Sequence, residues 1–334
     1  MASKQLNKMV AVLGAGKFGT AIANIVAPNA HRVFLYTHKS EQAFAAQSSR
    51  SVADQLLAAN VVVTNDWVMV LRTCSVIFPV VPAAKFRGLM RQIAAALRPD
   101  HILIHGTKGL DFSQDGRLPN HHGVTMSGVM LEETVVKQVG CLAGPNLSAE
   151  LAQKYPAVTV IASASQKVLT VGAQLLTNDW FYVYLAPDLL SVEVCSVLKN
   201  IFAIGAGIIG GMGYPSNTYA FFITMAISEM RYIMTTMRIS KSALLGPAGL
   251  GDLIATCGST ASRNYTIGYR LAKGETLADI LRTTNEVAEG VQTVKAMHQL
   301  MQSYGKQAPI TAAIYRMLFE ELPVQQGFND WLGG

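Results

Sequence analysis

Residues 9–21 read MVAVLGAGKFGTA, and this stretch decides the fold. Met9–Leu13 is a short apolar run of strand type, and an alanine-rich helix candidate follows it directly. Between them lies Gly14-Ala15-Gly16-Lys17-Phe18-Gly19, the spacing G-x-G-x-x-G. Gly14 permits the tight turn, Gly16 lets backbone approach a pyrophosphate, and Gly19 lets helix pack on strand. The helix N-terminus then faces the phosphates. The reading is a dinucleotide-binding βαβ unit of Rossmann type.

The second strand is Arg32–Tyr36. An NAD-specific site usually ends this strand with Asp or Glu for the ribose 2′-hydroxyl. Here Thr37-His38-Lys39-Ser40 follows, with no acid before Glu41. That end would tolerate or favour a 2′-phosphate, although His38 and Lys39 also suit a solvated turn.

Alternation continues. Strands are expected at Val61–Thr64, Ser75–Val81, His101–Ile104, Gln138–Ala143, Ala157–Ala162 and Phe181–Leu185, with helices at Asp66–Thr73 and Phe86–Leu97. Strands alternating with helices predict a parallel, doubly wound sheet, an α/β fold. Ligands of such sheets lie beyond the carboxyl ends of strands. Lys108 in Gly106-Thr107-Lys108-Gly109 and the loop 144–150 fall there, with a surface lysine and a plain turn at Gly144-Pro145 as the alternatives. After Leu185 no strand is apparent. Helices are expected at 190–212, 217–237, 262–273, 276–282, 287–303 and 310–321, with Pro187 marking the change. The expected division is residues 1–189 as the nucleotide-binding domain and residues 190–334 as an all-helical domain.

The helical part begins with Ser191–Gly213, SVEVCSVLKNIFAIGAGIIGGMG. Ile201–Met212 carries no charge, so it cannot face water, and it falls short of the ~20 apolar residues of a membrane span. Lys199-Asn200 is out of place there. A buried ammonium needs a partner or its pKa falls, which suits a proton donor or carbonyl polariser. A lysine snorkelling to solvent is the alternative. Further on, Gly249-Leu250-Gly251-Asp252-Leu253 sets an acid among apolar neighbours. Asp252 wants a cationic partner, or it caps the helix that follows. Ser262-Arg263-Asn264 suits a phosphate gripped by a guanidinium fork, or a solvated loop.

Of the 334 residues 50% are hydrophobic and 14% charged, enough apolar material for a large core in two domains. Net charge is +6 and the pI about 9.1, but no run of basic residues marks a nucleic-acid surface. Cys74, Cys141, Cys195 and Cys257 form no CxxC pair, which fits buried thiols in a reducing cytosol. His121-His122 lacks further ligands at metal spacing, so no metal is expected and a surface loop is read there. The polar start, MASKQLNK, does not read as a signal peptide.

Taken in order, several blocks resemble soluble NAD(P)-dependent glycerol-3-phosphate dehydrogenase of bacterial type. They are the glycine loop, Gly106–Gly109, Gly144-Pro145-Asn146, Leu198-Lys199-Asn200, Gly249–Leu253, Ser262-Arg263-Asn264 and Val287-Ala288-Glu289-Gly290. The resemblance implies that Lys199 donates and accepts the proton at the substrate oxygen, with Asp252 beside it. Lys108 becomes a second lysine contacting substrate and cofactor, and all three count as catalytic. It implies substrate contacts at Gly144, Ser148, Asn200 and Thr256, and a phosphate grip of Ser262, Arg263 and Asn264. Cofactor contacts are implied at Gly14, Gly16, Lys17, Phe18, Gly19, His38, Ala149, Val287 and Glu289, with Arg263 also reaching the cofactor. NADPH or NADH is the implied cofactor, dihydroxyacetone phosphate and sn-glycerol 3-phosphate the substrates, and a cytoplasmic homodimer the assembly. Two positions depart from the family: Gly210 stands where Asp is usual, and Met225 where Arg is usual. The competing readings are a dehydrogenase of the same build acting on another hydroxy acid, and a non-catalytic NADPH-binding sensor.

Overall fold

The computed structural model describes residues 6–111, 125–283 and 289–332. The chain forms two compact units, Met1–Thr107 with His122–Leu189 and Lys108–His121 with Leu190–Gly334. His121, His122 and Val287 lie outside the described residues.

The strands of the first unit are β1 (Leu6–Leu13), β2 (Ala30–Tyr36), β3 (Ser51–Val52), β4 (Gln55–Leu56), β5 (Val61–Thr64), β6 (Val76–Pro79), β7 (Ile102–His105), β8 (Gln138–Ala143), β9 (Ala157–Ala162) and β10 (Phe181–Ala186). Eight of them form one sheet in the order β10-β9-β8-β7-β6-β1-β2-β5, while β3 and β4 make a separate hairpin. The order reverses at β1, so the switch point, where such sheets bind ligands, lies between β1 and β6.

Burial on both sheet faces explains the unbroken apolar strands. Val10, Val12, Phe78 and Ile104 point into one core. Ala11, Leu13, Ile77 and Leu103 point into the other. The helices of this unit are α1 (Lys17–Val26), α2 (Ser40–Ser49), α3 (Trp67–Thr73), α4 (Ala83–Ile93), α5 (Met126–Glu133), α6 (Ser148–Ala152) and α7 (Gln166–Leu176). Helices α1 and α7 bury Ile22, Ile25, Val168 and Leu175 against the first face. Helices α4 and α5 bury Phe86, Met90, Met126 and Val129 against the second.

One sheet feature corrects the sequence reading: β9 pairs with β8 antiparallel, and every other neighbouring pair in the sheet is parallel. The link 144–156 holds only the five-residue α6, too little helix for the crossover that a parallel return needs. Asn146 ties that link down. Its Nδ2 donates to Val158 O at 2.9 Å, and its Oδ1 accepts from Thr159 Oγ1 at 3.0 Å.

The helices of the second unit, among its described residues, are α8 (Leu189–Met212), α9 (Ser216–Thr236), α10 (Asp252–Cys257), α11 (Arg263–Ala272), α12 (Leu277–Thr283), α13 (Glu289–Ser303), α14 (Pro309–Phe319) and α15 (Val324–Leu332). Helix α8 runs 24 residues, so the helix is longer than its apolar run and could span a bilayer by length and composition. Its most apolar window is nevertheless wholly buried in the fold. Its glycines serve helix packing. A Cβ on Gly207 would lie 2.0 Å from Tyr265 O, and one on Gly268 would lie 1.9 Å from Ile204 O. Helices α8 and α11 therefore cross backbone on backbone. Glu229 of α9 meets the N-terminus of α14, accepting from Ile310 N at 2.7 Å and Thr311 N at 2.8 Å. A carboxylate suits that end of a helix.

The two family departures also have places. A Cβ on Gly210 would lie 2.1 Å from Tyr265 Oη, so the phenol takes up the room of a side chain there. Met225 is half-buried on α9.

Candidate active site

The first unit builds a nucleotide cradle. Gly14 has φ +126°, and a Cβ on it would sit 2.2 Å from Val80 O. A Cβ on Gly19 would sit 1.9 Å from Gly14 O, so this position holds helix against turn. At Gly16 a Cβ would meet nothing within 4 Å and would intrude on the space before the helix. Helix α1 starts at Lys17, with Gly16 as a cap that offers no side chain and no acid in its first turn. The first N–H groups thus stay available to an anion. Phe18 lies over Gly106, whose Cβ would come within 2.9 Å of the ring.

The end of β2 completes the cradle. Gly14 N donates to Tyr36 O at 3.0 Å. Buried Thr37 donates through Oγ1 to Gln42 Oε1 at 2.7 Å, and Gln42 Nε2 donates to Ala15 O at 3.3 Å. His38, Lys39 and Lys17 are exposed. No acid stands at this corner before Glu41, and the residues present fit a dinucleotide, with or without a 2′-phosphate. Gly144, with φ +138°, leaves the end of β8 in the same unit. Ser148 and Ala149 open the short α6 behind it.

The second unit gathers the charged residues. Lys199 projects from the middle of α8 at 5% exposure, and Asp252 opens α10 at 1%. Their side chains form an ion pair. Lys199 Nζ also donates to Thr256 Oγ1 at 2.7 Å. Lys108 Nζ holds the other carboxylate oxygen at 2.7 Å. Thr256 lies one turn beyond Asp252 on the same face of α10 and donates to Oδ1 at 3.3 Å. The snorkelling alternative for Lys199 is therefore excluded.

Local backbone explains how the acid arrives there. A turn of π-helix, Pro247–Gly251, precedes α10, and Gly251 rather than Asp252 takes the cap position. The carboxylate makes no cap bond and is left for the two lysines. Helix α10's N-terminus still favours its negative charge.

Electrostatics follow from burial and neighbours. Burial pulls the Lys199 ammonium down to about 8; Asp252 opposes that shift and Lys108 adds to it. Burial alone would raise the Asp252 carboxyl, but Lys108 and Lys199 outweigh it and hold the group below the usual range. A lysine near neutrality, gripped by an ionised acid, can both give and take a proton.

A polar ladder runs alongside. Asn200 Nδ2 donates to Lys108 O at 3.3 Å. Asn264 Nδ2 donates to Asn200 Oδ1 at 3.1 Å, and Gly290 N donates to Asn264 Oδ1 at 3.1 Å. Ser262 caps α11, its Oγ accepting from Tyr265 N at 3.3 Å. Arg263, the first residue of α11, is exposed beside it. Glu289 opens α13 and is half-buried.

The structure therefore unites Lys108, Lys199, Asn200, Asp252, Thr256 and Asn264 by direct bonds. Ser262 and Arg263 adjoin Asn264 in the chain, while Gly144, Ser148 and Ala149 belong to the first unit. Gly290 N–H is a member that residue types could not reveal, since a backbone donor leaves no side-chain signal. Among the described residues no three His, Cys, Asp or Glu side chains group as metal ligands.

A doubly wound sheet with this glycine loop, together with a buried lysine–carboxylate set, defines a nicotinamide-nucleotide dehydrogenase. Residues 9–169 match the family model for the NAD-dependent glycerol-3-phosphate dehydrogenase N-terminus, and residues 188–329 that for its C-terminus. The chain belongs to the NAD-dependent glycerol-3-phosphate dehydrogenase family, so it is an oxidoreductase and its cofactor is NAD(P)H. It is 35% identical to a glycerol-3-phosphate dehydrogenase [NAD(P)+] of Teredinibacter turnerae, over 93% of this chain and 90% of that protein. It is 32% identical to the Macrococcus caseolyticus protein of the same description, over 96% of each. The crystal structure of glycerol-3-phosphate dehydrogenase from Coxiella burnetii superposes with a TM-score of 0.88 at 28% identity, covering 98% of this chain and 99% of that one.

Proposed function

We propose that this chain catalyses the reversible reduction of dihydroxyacetone phosphate by NAD(P)H to sn-glycerol 3-phosphate, the backbone precursor of glycerophospholipids. The observation that carries the reading is the buried Lys199, paired with Asp252 and poised near pH 8.

When bound, the reduced nicotinamide supplies a hydride to the substrate's carbonyl carbon. Lys199 Nζ gives its proton to the oxygen as that oxygen takes up the C–O electron pair, and is left as the neutral amine. In the oxidative direction the neutral amine takes the proton back. Asp252 favours the charged form of Lys199 against burial and fixes its direction, with Thr256 as the second anchor. Lys108 shares Asp252 and adds positive charge where negative charge develops on the substrate oxygen. Arg263 grips the phosphate through its planar fork, with Ser262 and Asn264 supplying neutral donors. Asn200 positions Asn264 through the ladder. Gly144 and Ser148 as substrate contacts, and Ala149 and Glu289 as cofactor contacts, rest on the resemblance alone. So does assembly as a homodimer in the cytoplasm. The corner at His38 and Lys39 supports NADPH use at least equal to NADH.

The test is NADPH oxidation, followed by absorbance, with dihydroxyacetone phosphate against dihydroxyacetone. Oxidation strongly favouring the phosphorylated substrate is expected. NADPH binding without turnover would replace the reading with the sensor, and equal use of other hydroxy-acid precursors would replace it with a different dehydrogenase.

A further inference from the structure

Two glutamines from outside the glycine loop grip its carbonyls. Gln42, on α2, donates through Nε2 to Ala15 O at 3.3 Å and accepts through Oε1 from Thr37 Oγ1 at 2.7 Å. Thr37 Oγ1 in turn accepts from Lys39 N at 3.2 Å. Gln55, 8% exposed on the hairpin strand β4, donates through Nε2 to Lys17 O at 2.7 Å. A carbonyl only accepts, so both amides must turn their NH2 groups to the loop. A peptide unit is planar, and in its trans form C=O and N–H point to opposite sides. Carbonyls drawn to the glutamines therefore leave the Gly16 and Phe18 N–H groups pointing away from them. Phe18 N–H is among the first N–H groups of α1, which have no partner within the helix.

We propose that Gln42 and Gln55 are positioning residues for the cofactor's pyrophosphate. Each holds a loop carbonyl back and so presents the following N–H, of Gly16 or Phe18, to a phosphate oxygen. This rests on the reading of Gly14–Gly19 as the pyrophosphate loop. The hold matters because Gly16 leaves the loop free to rotate, and a peptide turned over would aim a carbonyl oxygen at the phosphates and repel them. Gln42 also joins the loop to the corner after β2, through the bonds that run from Lys39 N to Ala15 O. Neither glutamine carries its own element. Helix α2 buries Ala43 and Ala46. Asn24 of α1 holds the hairpin, donating to Leu56 O at 2.8 Å and accepting from Ala58 N at 2.9 Å. The two amides are thus separable from the packing around them.

Gln42→Met and Gln55→Met keep side-chain length and remove the donor. One lost hydrogen bond corresponds to roughly a 3- to 10-fold rise in the Kd for NADPH in each variant. In turnover the loss should fall on the KM for NADPH, with kcat changing less than about two-fold. ADP-ribose, which carries the pyrophosphate, should lose affinity along with NADPH, whereas adenosine, which lacks it, should bind as it does to wild type. Both variants should melt close to wild type. Gln42→Glu keeps the bond from Thr37 but offers Ala15 O no donor, so it should bind NADPH no better than Gln42→Met. An NADPH Kd within about two-fold of wild type overturns the assignment of the glutamine concerned. Equal losses on ADP-ribose and adenosine, or full recovery in Gln42→Glu, overturn the positioning role. Gly16→Val, run in parallel, tests the loop reading itself, since its side chain would stand in the open space before α1. If it weakens ADP-ribose binding and the glutamine variants do not, only the glutamines are wrong. If none of them does, the loop reading and the glutamines fall together.

Discussion

Replacing Asp252 by Asn keeps the shape of the side chain and removes the negative charge that both lysines share. Lys199, at 5% exposure, would then sit beside Lys108 without the Asp252 charge that each now pairs with. Removing one partner of a buried ion pair costs ~3–5 kcal/mol. Part of that is avoided if Lys199 sheds its proton, so its pKa should fall below the present value of about 8. A further drop of roughly two units corresponds to ~2.7 kcal/mol. About a tenth of the lysine would then be protonated at pH 7. The falling limb of kcat/KM for reduction should move from near pH 8 to near pH 6, and the rising limb for oxidation should move with it. Stability gives an independent reading. A lysine depressed in the folded state is destabilising at low pH. That penalty lifts as pH rises from the folded pKa towards the unfolded one, where the unfolded chain binds more protons. Asp252→Asn should therefore melt lower than wild type at pH 7 and recover part of the difference by pH 9. The assay is a pair of pH–rate profiles with thermal melts across the same range. Limbs left near pH 8, with an unchanged melting temperature, would refute the coupling of Asp252 to Lys199.

Three other substitutions probe separate parts of the account. His38→Asp restores an acid near the end of β2 and should move the kcat/KM preference towards NADH; a wild type that already strongly favours NADH would contradict the reading of that corner. Arg263→Lys keeps charge but loses the fork, and should lower kcat/KM for dihydroxyacetone phosphate by roughly one to two decades while sparing dihydroxyacetone. Gly268→Ala would set a Cβ 1.9 Å from Ile204 O and force α8 from α11. It should lower stability by ~1–3 kcal/mol in denaturant titrations, and no change would mean that the crossing has slack.

The first unit was legible because its central strands are short apolar runs buried on both faces and bounded by polar or glycine-containing turns. Val61–Thr64, Gln138–Ala143 and Ala157–Ala162 coincide with the expected runs. Pairing direction was not legible, since an apolar run reads alike in parallel and antiparallel neighbours, and β8–β9 shows the consequence. The hairpin β3–β4 escaped notice because its strands are two residues each, held partly by Gln55 Nε2 donating to Lys17 O at 2.7 Å. Helix α15 is short and contains Gly327; its burial of Phe328 and Trp331 is a tertiary effect.

Chemistry was legible where a residue stood out against its neighbours. Lys199 did so inside an apolar helix, and Asp252 between glycine and leucine. What joins them was hidden: Lys108 meets Asp252 across 144 residues, and Asn200 meets Asn264 across 64. Asp252 read as a possible cap because Asp before an apolar run usually is one. The π-helical turn moved the cap to Gly251 and changed the answer.

The most direct test is Lys199→Ala, with kcat for dihydroxyacetone phosphate reduction measured beside the Kd for NADPH. Loss of a general acid should lower kcat by roughly 10²–10⁴-fold. NADPH binding should hold, because the glycine loop belongs to the first unit and Lys199 to the second. A variant within a few-fold of wild type would contradict the account, since the proton would then come from a group other than Lys199.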